Sequence, residues 1–162
     1  MVHTAHGRMR YLLTLLALAA ILPLGPATAG PIARPSVQAT TEFRARLSPV
    51  PIDLVMQAAI TGRGMATATL TGTKLSITGT FADLKTPATF AKVHVAPKGI
   101  RGPAVLDLTV SKATSGALAG TFDLTPRQLD DLRHSRLYIQ LHSDKAPDGN
   151  LWGWLLPQEG RP

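Results

Sequence analysis

From Met65 onward the chain alternates between apolar and polar positions. In KLSITGTF (Lys74–Phe81), Leu75, Ile77 and Phe81 fall on one side of an extended backbone, and Ser76, Thr78 and Thr80 fall on the other. This period of two predicts a strand with one buried face. The preceding run MATATL (Met65–Leu70) is separated from it by Thr71-Gly72-Thr73, so the two read as a β-hairpin. EFRARL (Glu42–Leu47), TFAKVHV (Thr89–Val95), AVLDLTV (Ala104–Val110), ALAGTFDL (Ala117–Leu124), RLYIQLHS (Arg136–Ser143) and LWGWLL (Leu151–Leu156) add further short runs. Several short strands with frequent turn signals predict an all-β fold, an antiparallel β-sandwich or barrel. Asp53–Ile60, inside the Pro-containing stretch Ser48–Gly64, carries no clear period and is read as a helical turn or an irregular crossover.

One helix interrupts the strands, at about 126–134 in LTPRQLDDLRHS. Thr125 is placed as its N-cap, Pro126 suits the first helical position, and Gln128 completes a capping box. Leu124 and Leu129 are spaced for a hydrophobic staple. Arg133, His134 and Arg136 lie at the C-terminal end, where the helix dipole favours cations. A helix this short depends on packing through Leu129 and Leu132.

The N-terminal segment reads differently. Arg8 and Arg10 precede an apolar run, Tyr11–Leu24, and Ala27-Thr28-Ala29 offers small residues for cleavage before Gly30. This is the layout of a secretory signal peptide over 1–29, and the run is short of the roughly 20 apolar residues of a membrane span. Export to the periplasm or outside the cell is therefore expected, with no transmembrane helix after cleavage. Residues 30–41 are Pro-rich and read as a flexible leader, 42–157 as one domain, and 158–162 as a tail.

Lys and Arg number 17 against 10 Asp and Glu, and two of the basic residues, Arg8 and Arg10, belong to the expected signal peptide. The remaining positive charge is scattered rather than clustered, which argues against nucleic acid and leaves anionic envelope polymers as one class of partner. With no cysteine in the chain, thiol chemistry and disulfides are excluded, and stability rests on the core.

Three phrases carry a resemblance. FRARLSPVP (Phe43–Pro51), AKVHVAPKGIRGP (Ala91–Pro103) and FDLTPRQLDDLRHSRLYIQLHSDKAPDGNLWGWL (Phe122–Leu155) resemble, in content and order, the motifs of the CHRD (chordin-type) domain family, whose members include exported bacterial proteins. The resemblance implies an immunoglobulin-like β-sandwich or barrel distantly similar to copper–zinc superoxide dismutases. It implies no settled activity. His94 matches the second histidine of the family's His-x-His, and His142 the histidine that ends the late strand. Gly99, Gly102 and Pro103 match the central loop, and Gly149 and Gly153 the last hairpin. The departures are Lys92, in place of the first histidine, and Asn150, Trp152 and Trp154 in the closing phrase.

His94 and His142 are the candidate metal ligands, for copper or zinc, although a site usually needs three or four ligands. The ammonium of Lys92 on the same face opposes a divalent ion, and Asp107 joins only if strand order allows. The competing reading has both histidines hydrogen-bonding loops. His134, at the helix end, reads as an exposed cation. Ser143 cannot easily serve His142, because neighbouring residues on a strand face opposite ways. Asp130 and Asp131 read as solvated helix residues. No catalytic residue and no enzyme activity are assigned. Trp152 and Trp154 share one face of the last strand. With Lys92 and Gln140 they form a candidate aromatic-basic binding surface, unless both faces of the sheet are covered. The expected role is non-enzymatic, binding a protein, glycan or polyanion, with metal binding at His94 and His142 and polyanion binding as the alternatives.

Overall fold

A computed structural model describes residues 39–51 and 56–158. The expected signal peptide, most of the expected leader (30–38) and all but the first residue of the expected tail lie outside them, as do residues 53–55 of the uncertain segment. The strands are β1 (Thr40–Pro49), β2 (Arg63–Thr71), β3 (Lys74–Ala82), β4 (Ala88–Val95), β5 (Ala104–Val110), β6 (Gly116–Asp123), β7 (Leu137–Ser143), β8 (Ala146–Trp154) and the two-residue β9 (Leu156–Pro157). Helix α1 (Pro126–Arg133) joins β6 to β7, and a 3₁₀ turn, Met56–Ala58, lies between β1 and β2.

All pairings are antiparallel, in the order β2-β3-β6-β5-β4-β7-β8-β1. β1 also pairs with β2 from Thr40↔Thr71 to Leu47↔Gly64, which closes eight strands into a barrel, with β9 laid on β1. Of the two expected architectures, the pairing gives the barrel. Two seams are narrow: β5 meets β6 only at Thr109↔Ala119 and Val110↔Leu118, and β1 meets β8 only at Ser48↔Trp152 and Pro49↔Leu151. Closure matters because an open sheet would leave a row of unpaired N–H and C=O groups.

The predicted hairpin is present, with Thr71 paired to Lys74 and Gly72 at φ 62° in the turn. The first strand starts earlier than expected, because Thr40 and Thr41 of the leader pair with β2. The tail also begins in order, with the Gln158 N–H donating to Glu42 O at 2.8 Å. The capping box of α1 is complete: the Gln128 N–H donates to Thr125 Oγ1 (3.3 Å) and the Thr125 N–H to Gln128 Oε1 (2.9 Å). Leu132 is fully buried and Leu124 nearly so, which docks the short helix as its length requires.

The barrel interior takes Phe43, Ala45 and Leu47 from β1, Leu75, Ile77 and Phe81 from β3, Val93 from β4, Leu137, Ile139 and Leu141 from β7, and Leu151 from β8. These are the alternating positions of each strand. β7 departs from the half-buried pattern, because all seven of its residues are buried. Its outward side chains therefore lie under a second layer. That layer is a smaller apolar cluster in which Tyr138, Trp152 and Trp154 pack with Val50, Ile60, Ala96 and Ala146.

Candidate functional site

The strand order brings the predicted residues onto one outward face. Across β5, β4, β7, β8 and β1 the register runs Asp107–Lys92–Gln140–Trp152–Ser48. A neighbouring row runs His94–Tyr138–Trp154, and His142 lies opposite Phe90. The rings form a continuous stack. Phe90 covers His142 at 4.1 Å between centroids, Tyr138 lies between His94 (5.1 Å) and Trp154 (4.6 Å), and Trp152 meets Trp154 edge-on at 4.7 Å.

An exposed tryptophan face is not what forms. Trp152 and Trp154 are 9% and 7% exposed, because Val50, Ile60 and Ala96 pack over them. The indole N–H of Trp154 donates to Ala96 O at 3.1 Å. Gln140 is buried as well, its amide donating to Asp148 O at 2.8 Å. Asn150 is fully buried: its side chain donates to Thr61 O (3.1 Å) and its carbonyl accepts from the Val50 N–H (3.0 Å). The departure at Asn150 thus serves to tie down the segment that covers the tryptophans.

The histidines are held by loops. His94 Nδ1 donates to Gly102 O at 2.8 Å, and His142 Nδ1 to Pro147 O at 2.7 Å. β8 delivers the Pro147 and Asp148 carbonyls to this face through Gly149, whose φ of 125° suits glycine. Lys92 acts on His142 as a nearby positive charge while it is itself paired. Its Nζ pairs with Asp107 at 2.7 Å and lies 5.9 Å from the Phe90 ring. Asp107 neighbours β4 as a third ligand would require, but its carboxylate is taken by Lys92 and projects into solvent. Among the described residues no three or more His, Asp or Glu side chains converge as a metal site.

His134 is an exposed C-cap residue, as read from the sequence. Asp131 corrects the expectation of a solvated carboxylate: it is 6% exposed and meets Arg136 Nε at 2.8 Å. Ser143 points into the core, away from His142.

Burial is the first cause that lowers the His142 pKa below its ordinary 6.5; the hydrogen bond to Pro147 opposes it, and His94, Lys92 and Arg101 add to it. The unfolded chain therefore binds a proton at this position more readily than the folded one. Stability from neutral His142 is complete above pH 6.5 and is lost as pH falls through the folded pKa. The urea midpoint is expected to drop between about pH 7 and pH 5, and His142→Gln should flatten that drop. A wild-type midpoint constant across this window would contradict the assignment.

Beside the covered tryptophans the surface opens into a cavity of about 340 Å³ lined by Arg46, Ser48, Lys98, Gly99, Trp152, Trp154 and Leu156. Arg46 and Lys98 are exposed and form no ion pair among the described residues. A larger concavity of about 420 Å³ lies at the β2–β3 end beside Arg63 and Met65, but Arg63 there is bound to Asp83 at 2.9 Å and no tryptophan reaches it. Sequence reasoning missed Tyr138, although it shares the period-two face of Gln140 and His142. It also missed Arg46, Ser48 and Lys98, which reach the tryptophans only through the β1–β8 seam and the 96–103 loop. A family model, the CHRD domain, matches residues 43–155. Neither the curated proteins nor the solved structures give a match.

Proposed function

This chain belongs to the CHRD domain family, and from that premise we propose that it is an exported, non-enzymatic binding domain whose ligand is an anionic glycan. The observation that carries the reading is the cavity at the β1–β8 seam. It joins Trp152 and Trp154 to two cations, Arg46 and Lys98, that form no ion pair among the described residues. Its volume lies at the lower end of the range for small-ligand sites, which suits one or two sugar rings. The little indole surface that remains open gives a sugar an apolar contact, while Arg46 and Lys98 meet a carboxylate. The exported location rests on the signal-peptide pattern of residues 1–29, and no described helix is long and apolar enough to cross a membrane.

Titration of the full chain with polygalacturonate, against neutral dextran, tests the proposal. Binding is expected for the acidic polymer alone, weakening as salt rises. Arg46→Ala with Lys98→Ala should reduce affinity about a hundredfold or more, since each charge-assisted hydrogen bond contributes about 1.5–3 kcal/mol. Equal binding of dextran, or full affinity in the double variant, would remove the cavity from consideration.

A further inference from the structure

His94 and His142 carry a feature that the glycan cavity does not use. Each Nδ1 faces a backbone carbonyl, which only accepts, so each carries its proton there. Both Nε2 atoms are then bare lone pairs. Both are buried, and neither has a hydrogen-bond partner among the described residues. A buried acceptor left without a donor is costly, and two in one patch call for an occupant.

The ring centroids are 6.3 Å apart with planes tilted by 32°. That separation is about the most that one ion can bridge, since two metal–nitrogen bonds of about 2.0 Å each plus the two centre-to-nitrogen distances reach it only in line. A zinc or cupric ion takes more protein ligands than this patch supplies. Two neutral imidazoles suit a softer ion that accepts two nitrogens in line. Lys92 and Arg101 lie close enough to oppose positive charge at His142, and they oppose a singly charged ion less than a divalent one. We propose that His94 and His142 form a two-coordinate site for one cuprous ion. Gly102 O and Pro147 O act as the outer shell, fixing the tautomer and the aim of each ring. The 96–103 loop and the 147–149 turn are thereby coupled to the ion through a single hydrogen bond each.

The full chain, titrated anaerobically with cuprous ion alone, provides the test. One ion per chain is expected beyond the amount taken up by a His94→Gln/His142→Gln variant, which keeps any binding by His3, His6 and the exposed His134. Loss of an outer-shell partner lowers metal affinity about 10–100-fold, so His142→Gln should lower it by more than about 100-fold. Imidazole nitrogen spectra of the unmodified protein make the result independent of variant folding. Two Nε2 resonances should move on loading while both Nδ1 protons persist, and X-ray absorption should report two nitrogen neighbours. A water molecule donating to both nitrogens is the competing occupant, and it predicts no uptake above the double variant and unmoved Nε2 resonances. Either of those results overturns the proposal, as does zinc bound with equal affinity at the same rings.

Discussion

Tyr138→Ala is expected to lower the unfolding free energy by about 3–5 kcal/mol, the range for removing a fully buried aromatic side chain. Tyr138 has no exposed surface and stands at the centre of the outer layer. It stacks on Trp154 and His94, meets Trp152 edge-on at 6.0 Å, and its hydroxyl accepts from the Gly102 N–H at 3.0 Å. Truncation opens a cavity between His94 and Trp154 and releases the 96–103 loop from its hydroxyl. Urea denaturation reads the loss as a lower midpoint at unchanged slope. With both indoles buried, emission is expected to be blue-shifted in the intact protein and to move to the red in the variant. Tyr138→Phe isolates the hydroxyl and should cost about 1–3 kcal/mol by stranding the Gly102 N–H. A loss below about 1 kcal/mol for Tyr138→Ala would mean that the outer layer does not pack as a core.

Gly102→Ala is the second large effect, about 3 kcal/mol or more, and its cause is crowding rather than loss. A Cβ at this position would collide with Val95 O and meet Val95 C and the Ala96 Cβ at 2.9 Å each. The backbone cannot yield easily, because the Gly102 N–H is bound to Tyr138 and its carbonyl to His94, while Pro103 O accepts from the Val95 N–H at 3.0 Å. Gly99 in the same loop is the control. A Cβ there meets nothing within 4 Å, and only its φ of 85° resists alanine. Gly99→Ala should therefore cost about 1–2 kcal/mol. Thermal unfolding should rank Gly102→Ala below Gly99→Ala. The reverse order would show that backbone conformation, rather than close approach, governs this loop.

The strands and helix were legible because each announces itself within about ten residues. The period of two in Lys74–Phe81 and the Thr125–Gln128 capping box are local signals, and both are present in the fold. Barrel closure was not legible, since the pairing of Ser48 with Trp152 leaves no trace in either segment's pattern. The face shared by His94, Gln140, His142 and the tryptophans followed from alternation once β4, β7 and β8 were known to be neighbours. Its burial had a signal that alternation conceals. Leu151–Leu156 is almost wholly apolar, as expected for a strand covered on both faces. Reading it as one inward and one outward row left the tryptophans uncovered. The segment that covers them comes from the far end of the chain, where Val50 and Ile60 carry no periodic signal.

The two partners of β1 also bear on the order in which the protein acquires its structure. β2 follows it at once, but β8 comes about a hundred residues later, a separation that slows closure through the loss of chain entropy. A chain emerging N-terminus first must hold β1 with one margin unpaired until nearly all of the domain has been made. During that interval the margin is open to pairing with other chains. Glu42 and Arg44, bonded to each other at 2.9 Å on its outward side, place charge on the strand that waits longest.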